Sequence, residues 1–146
     1  MHEEPQLEKL FPQLASIPYR RTSPETPDYN CIAWAAQDDT RWWWPDPMEQ
    51  SYWPRGVSRE ETLEAFKEAY GMVGFIPCED GCAESGYEKI AIYSKGRETT
   101  HAARQLPNGW WTSKLGKLED IEHQTPGGVE GTYYGSVSVF MKRPIQ

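Results

Sequence analysis

Three short β-like runs in close succession constrain this chain more than any other feature: "EKIAIYSKG", "THAARQLPNG" and "WWTSKLG", together spanning Glu88 to Gly116. Each ends at a glycine, the residue that takes the left-handed conformation of a tight turn without steric cost. Strands joined this closely pair antiparallel, because a parallel crossover needs a much longer connection. The spacing therefore predicts a β-meander over 88–116. A further strand is predicted from the alternation between Tyr133 and Met141, inside "GTYYGSVSVFMKRP".

Ahead of the meander the pattern is helical and irregular by turns. In "PDYNCIAWAAQDD", Asp28 or Asn30 can cap a short helix carrying Ile32, Ala33, Trp34, Ala35 and Ala36, which Asp38 and Asp39 break. The next stretch, Arg41 to Ser58, holds Pro45, Pro47 and Pro54 among its tryptophans and must be a loop. A second helix then starts near Ser58 or Arg59, with Glu61 placed for a capping box and Leu63, Phe66, Ala69 and Tyr70 on one face. Gly71 or Gly74 can end it. Residues 1–28 are Pro-rich and read as an irregular lead-in, and "LEDIEH" (118–123) reads as a helical turn. Helices first and sheet second indicate one α+β domain over 1–146, its core in 29–146.

The charge balance narrows the function. Fifteen Lys and Arg against 22 Asp and Glu leave a net charge of −7, and no basic block interrupts it, which argues against nucleic-acid or anionic-lipid partners. The first residues lack the basic and apolar regions of a secretory signal, and no run approaches the ~20 apolar residues of a membrane span. The expectation is a cytoplasmic protein, or one delivered without a cleaved signal peptide. Three cysteines, an odd number in a chain of this length, fit a reducing compartment.

Cys31 is the first candidate for chemistry. In the first turn of a helix a thiol feels unpaired N–H groups and the positive end of the helix dipole, both of which favour the thiolate. The same amides, helped by the Asn30 side chain, could hold a developing oxyanion. A buried, inert cysteine is the competing reading, and for "CIAWAA" alone it is the stronger one. A nucleophile needs a base, and the histidines are His2, His101 and His123. His101, at the start of a central strand, is best placed to face a helix terminus packed on the sheet. Cys78 and Cys82, in "CEDGC", lack the second ligand pair that zinc requires, and neither metal nor cofactor is expected. The proline-bounded tryptophans more simply plug the core, although one ring can reach a cleft beside Cys31. Trp44, Trp53 and Trp111 are the candidates for that cleft.

Cysteine at a helix start, a meander whose second strand begins with His101, a Gly109 turn and polar Ser113 twelve residues on: this pattern, covering roughly Tyr29 to Gly135, resembles the NlpC/P60 and CHAP branch of papain-like cysteine peptidases and amidases. The "SKLG…H" that places His123 also resembles a signature of uncharacterised bacterial papain-like proteins. The resemblance implies a papain-like fold and a thiol hydrolase acting on a peptide, protein or peptidoglycan-like amide. In that reading Cys31 attacks, His101 is the base, and His123 or Ser113 orients it, with Asp120 a weaker candidate. The alternative is a non-catalytic scaffold that binds a protein or glycan through the tryptophan loop. Oligomeric state stays open.

Overall fold

Seven strands form one antiparallel sheet in the order β1-β6-β5-β4-β3-β7-β2. In this computed structural model, which describes residues 4–115 and 119–145, they are β1 Tyr19–Arg21, β2 Ile76–Cys78, β3 Tyr87–Lys95, β4 Glu98–Gln105, β5 Trp111–Lys114, β6 Asp120–His123 and β7 Ser136–Pro144. Among the described residues three α-helices accompany them, α1 Glu4–Leu10, α2 Cys31–Ala35 and α3 Leu63–Gly71, with two short 3-10 helices at Pro12–Ala15 and Pro126–Val129, so the architecture is α+β. The meander of β3, β4 and β5 is there, each strand pairing with the next.

Several elements differ from expectation. Within "LEDIEH", whose Leu118 lies outside the described residues, Asp120–His123 form β6 and not a helical turn, pairing with β5 on one side and β1 on the other. So short a segment cannot sustain a helix against two available ladders. The lead-in is not irregular throughout, since it contains α1 and supplies β1, whose Arg20 and Arg21 pair with Glu122 and Glu119. The strand β2, which the sequence did not announce, closes the opposite edge against β7. Helix α3 starts later than the Ser58–Glu61 box implies. Thr62 caps it through Oγ1, which accepts from Ala65 N at 3.2 Å. Residues 58–61 are held in the loop instead: the Ser58 carbonyl accepts from Trp53 Nε1, and Arg59 donates to the carbonyls of Asp46 and Ser51.

Each sheet face carries its own apolar cluster. On one, Ile90, Ile92, Ala102 and Met141 meet α2, α3 and the rings of Trp43 and Trp53. On the other, Ala91, Tyr93, Ala103, Trp111 and Ile121 meet Leu7, Phe11 and Leu14 from the N-terminal segment. The alternation of β3 and β4 sorts their residues between the two clusters. No helix among the described residues is long and apolar enough to cross a membrane.

The ladder between β4 and β5 bears directly on Cys31. It is recorded at only two positions, Arg104–Thr112 and Gln105–Trp111. Nearer His101 no ladder pair joins the two strands among the described residues, and at this opening in the ladder the Ala102 backbone N–H faces the sulfur of Cys31, the first residue of α2.

Candidate active site

Asn30 fixes the start of α2. Its Oδ1 accepts from Ala33 N (3.1 Å) and Trp43 N (3.1 Å), while Nδ2 donates to Trp43 O (2.9 Å). The expected oxyanion role of this amide is therefore corrected: it is engaged as a helix cap and as a clamp on the aromatic loop. Asn30→Ala should lower the unfolding free energy by about 2 kcal/mol, roughly half from the lost cap and half from the unpaired Trp43 amide. Urea unfolding reads this directly, and a loss below about 0.5 kcal/mol would contradict the clamp.

Cys31, held by this cap, is 7% exposed and lines a cavity of about 770 Å³. Burial pushes its thiol up to about 11, against the opposing pull of the Ala102 and Ile32 backbone N–H groups directed at the sulfur. The thiol is thus protonated near neutral pH. The helix dipole, which the sequence credits with activating Cys31, is outweighed by burial in a helix of one and a half turns.

His101, Ser113 and His123 come together as one buried chain. His101 Nε2 lies 3.0 Å from Ser113 Oγ, which lies 2.8 Å from His123 Nε2, and His123 Nδ1 lies 2.7 Å from the Thr125 carbonyl. The direction of every proton follows from the far end. A carbonyl only accepts, so His123 Nδ1 carries the hydrogen and donates it. In a neutral ring Nε2 is then the acceptor, and the Ser113 hydroxyl donates to it. Ser113 in turn accepts from His101 Nε2–H, which leaves His101 Nδ1 as a bare acceptor nitrogen. Burial keeps both rings neutral: it lowers His123 to about 4 and, reinforced by His123, holds His101 well below the ordinary histidine value.

That Nδ1 is buried and has no hydrogen-bond partner. The His101 ring stacks on Tyr134 (centroids 4.0 Å, interplanar angle 7°) and meets Tyr93 edge-on. Here the sequence reading needs correction, for no hydrogen bond joins Cys31 to His101. Strand alternation is the cause. Ala102 faces the cluster that holds α2, so the neighbouring His101 turns its ring onto Tyr93 and Tyr134. Tyr134 lines the same cavity as Cys31 and connects the two sides.

The three candidate tryptophans separate. Trp44 lines the cavity with Trp42. Trp53 and Trp111 do not: both are buried, Trp53 edge-on against Phe66 and Trp111 beside Phe140. The loop is mainly a plug, as its prolines suggest, with two rings at the cleft. Asp120 stands apart from the histidine chain and accepts from the Tyr29 hydroxyl at 2.7 Å. Cys78 and Cys82 are free thiols, and no group of three or more metal-ligating side chains occurs among the described residues. His2 lies outside those residues.

Tyr134 and Thr125 were missed by sequence reasoning. The signal for Tyr134 was "GTYYG", where Gly131 and Gly135 pair with each other. Gly135 has φ +79°, and an added Cβ would run into the Ser94 backbone, so only glycine fits the turn that lays Tyr134 over His101. Nothing marked Thr125, because it acts through its carbonyl.

No curated protein and no solved structure matches this chain. A family model does, over residues 20–142, from β1 into β7 and across every residue of the histidine chain. The chain belongs to the family described as a domain of unknown function, DUF7689.

Proposed function

We propose that the protein is a papain-like thiol hydrolase acting on an amide bond, with Cys31 as nucleophile and His101 as base. One observation carries the reading. The chain from Thr125 through His123 and Ser113 fixes the tautomer in which His101 Nδ1 is a bare base, and that nitrogen is buried with no other partner. An imidazole held by one nitrogen and open at the other is what a thiol nucleophile requires.

In the proposed reaction Cys31 Sγ attacks the carbonyl carbon while its proton passes to His101 Nδ1. His101 then gives that proton to the leaving amine, and water hydrolyses the acyl thioester with His101 again as base. Attack first requires the thiol and the ring to close on each other at the opening between β4 and β5. The backbone N–H groups of Ala102 and Ile32 already face the sulfur and would share in stabilising charge there. The substrate in this reading is a peptide, protein or peptidoglycan-like amide.

The raised thiol, and a His101 ring packed on Tyr93 and Tyr134 with no hydrogen bond to Cys31, favour a second reading, a scaffold that binds a partner at the tryptophan-lined cavity with Cys31 inert. Iodoacetamide separates the two. In a protein carrying Cys78→Ser and Cys82→Ser, alkylation of Cys31 at pH 7.5 should fall at least tenfold on His101→Ala, and also fall on Ser113→Ala, which frees the tautomer. Rates unchanged by both substitutions would leave only the scaffold.

A further inference from the structure

We infer that the cavity beside Cys31 seats a cationic side chain, lysine or arginine, of the amide substrate; the inference rests on the hydrolase reading and specifies what that site would accept. The charge of the cavity is one-sided. Asp46, Glu61 and Glu98 line it, and among the described residues no Lys, Arg or His does. Asp46 is kept ionised chiefly by the backbone N–H of Gln50, with Ser51 N–H and Arg59 adding to it. Arg59 approaches this carboxylate only to 3.9 Å. Glu61 is tied to the aromatic wall, accepting from Trp44 Nε1 at 3.4 Å.

The walls fit the stem of such a side chain. Trp42 and Trp44 offer indole surface, and Met48, 77% exposed, stands at the rim. A lysine or arginine can lay its methylenes on these groups and set its charge against an indole face or a carboxylate. An anionic side chain meets three like charges here, and a neutral one gains nothing from them.

A separate feature points to a ligand with a polar backbone. Thr99 lines the same cavity, is 2% exposed, and its Oγ1 has no hydrogen-bond partner. A buried hydroxyl left unsatisfied is costly, and a substrate amide reaching it would remove that cost.

The test uses the Cys78→Ser, Cys82→Ser protein and three matched alkylating probes: the chloromethyl ketones of acetyl-lysine, acetyl-norleucine and acetyl-glutamate. Each rate at Cys31 is divided by the rate on an unstructured peptide thiol, which removes intrinsic reactivity. The lysyl probe should exceed the norleucyl probe about tenfold, since each nearby carboxylate is worth roughly two- to threefold in a water-like dielectric, and the glutamyl probe should be slowest. Joint Glu61→Gln and Glu98→Gln replacement, at two exposed positions, should lower the lysyl preference at least threefold and leave the iodoacetamide rate unchanged. Equal lysyl and norleucyl rates, with His101-dependent iodoacetamide alkylation intact, would overturn the inference and spare the hydrolase reading. A lysyl preference that survives the double replacement would also overturn it. Loss of His101 dependence with iodoacetamide would remove the hydrolase reading and this inference together.

Discussion

Lowering the pH from 7 to 4 should cost the fold about 3 kcal/mol through His123 alone. Burial sets this ring at about 4 in the folded protein, against about 6.5 in the unfolded chain. Between those values the unfolded chain binds a proton that the folded protein refuses. Stability is therefore complete above about pH 6.5 and is lost as the pH falls through the window toward 4. About 2.5 pH units at 1.36 kcal/mol each give the figure. His101, lowered for the same reason, adds in the same direction. Asp120, raised by burial, opposes them at the acid end, since its carboxyl is protonated more readily folded than unfolded.

Protonation also breaks specific bonds. A charged His123 turns Nε2 into a donor, facing a Ser113 hydroxyl that already donates to it. Urea midpoints at pH 7 and 4.5 for the wild type and His123→Gln check the effect. The loss on acidification should be smaller in the variant by about 2 kcal/mol, and equal losses in both proteins would contradict the neutral ring.

Phe66→Ala should destabilise the protein by about 3–5 kcal/mol and lower its melting temperature by roughly 10 °C. The ring is fully buried on α3, edge-on to Trp44 at 5.4 Å and to Trp53 at 5.0 Å. It joins the helix to the aromatic loop, so its removal leaves a void that two indoles on a proline-restricted backbone can scarcely fill. A calorimetric loss below about 1.5 kcal/mol would show that the loop collapses onto the space. The wall of the Cys31 cavity should loosen with it, because Trp44 is part of both.

What the sequence revealed and what it hid divide along the length of the contacts. His101 and Ser113 were legible as a pair because a hairpin with Gly109 at its turn carries residues twelve apart across to each other. His123 extends the same logic through the next turn to β6. Cys31 could be assigned to a helix start, because Asn30 caps locally. That Asn30 also clamps Trp43, thirteen residues away in a loop, could not be read, and so its side chain looked free for an oxyanion. The side of the sheet on which His101 stands depends on strand phase relative to α2, which no local pattern reports. Seven tryptophans announced an aromatic core, but not which rings would reach the cavity. Both Ser113 and His123 were in view as the residue that orients His101, and the fold uses them in series.

The Thr125 carbonyl at the end of the histidine chain has one more consequence. A relay that ended in a carboxylate or in water could carry a proton away, and this one ends in a group that cannot take it. For protons it is a blind alley. In the proposed hydrolase, whatever His101 picks up from a thiol must leave by the same nitrogen, so the buried chain would set the direction of exchange without ever conducting it.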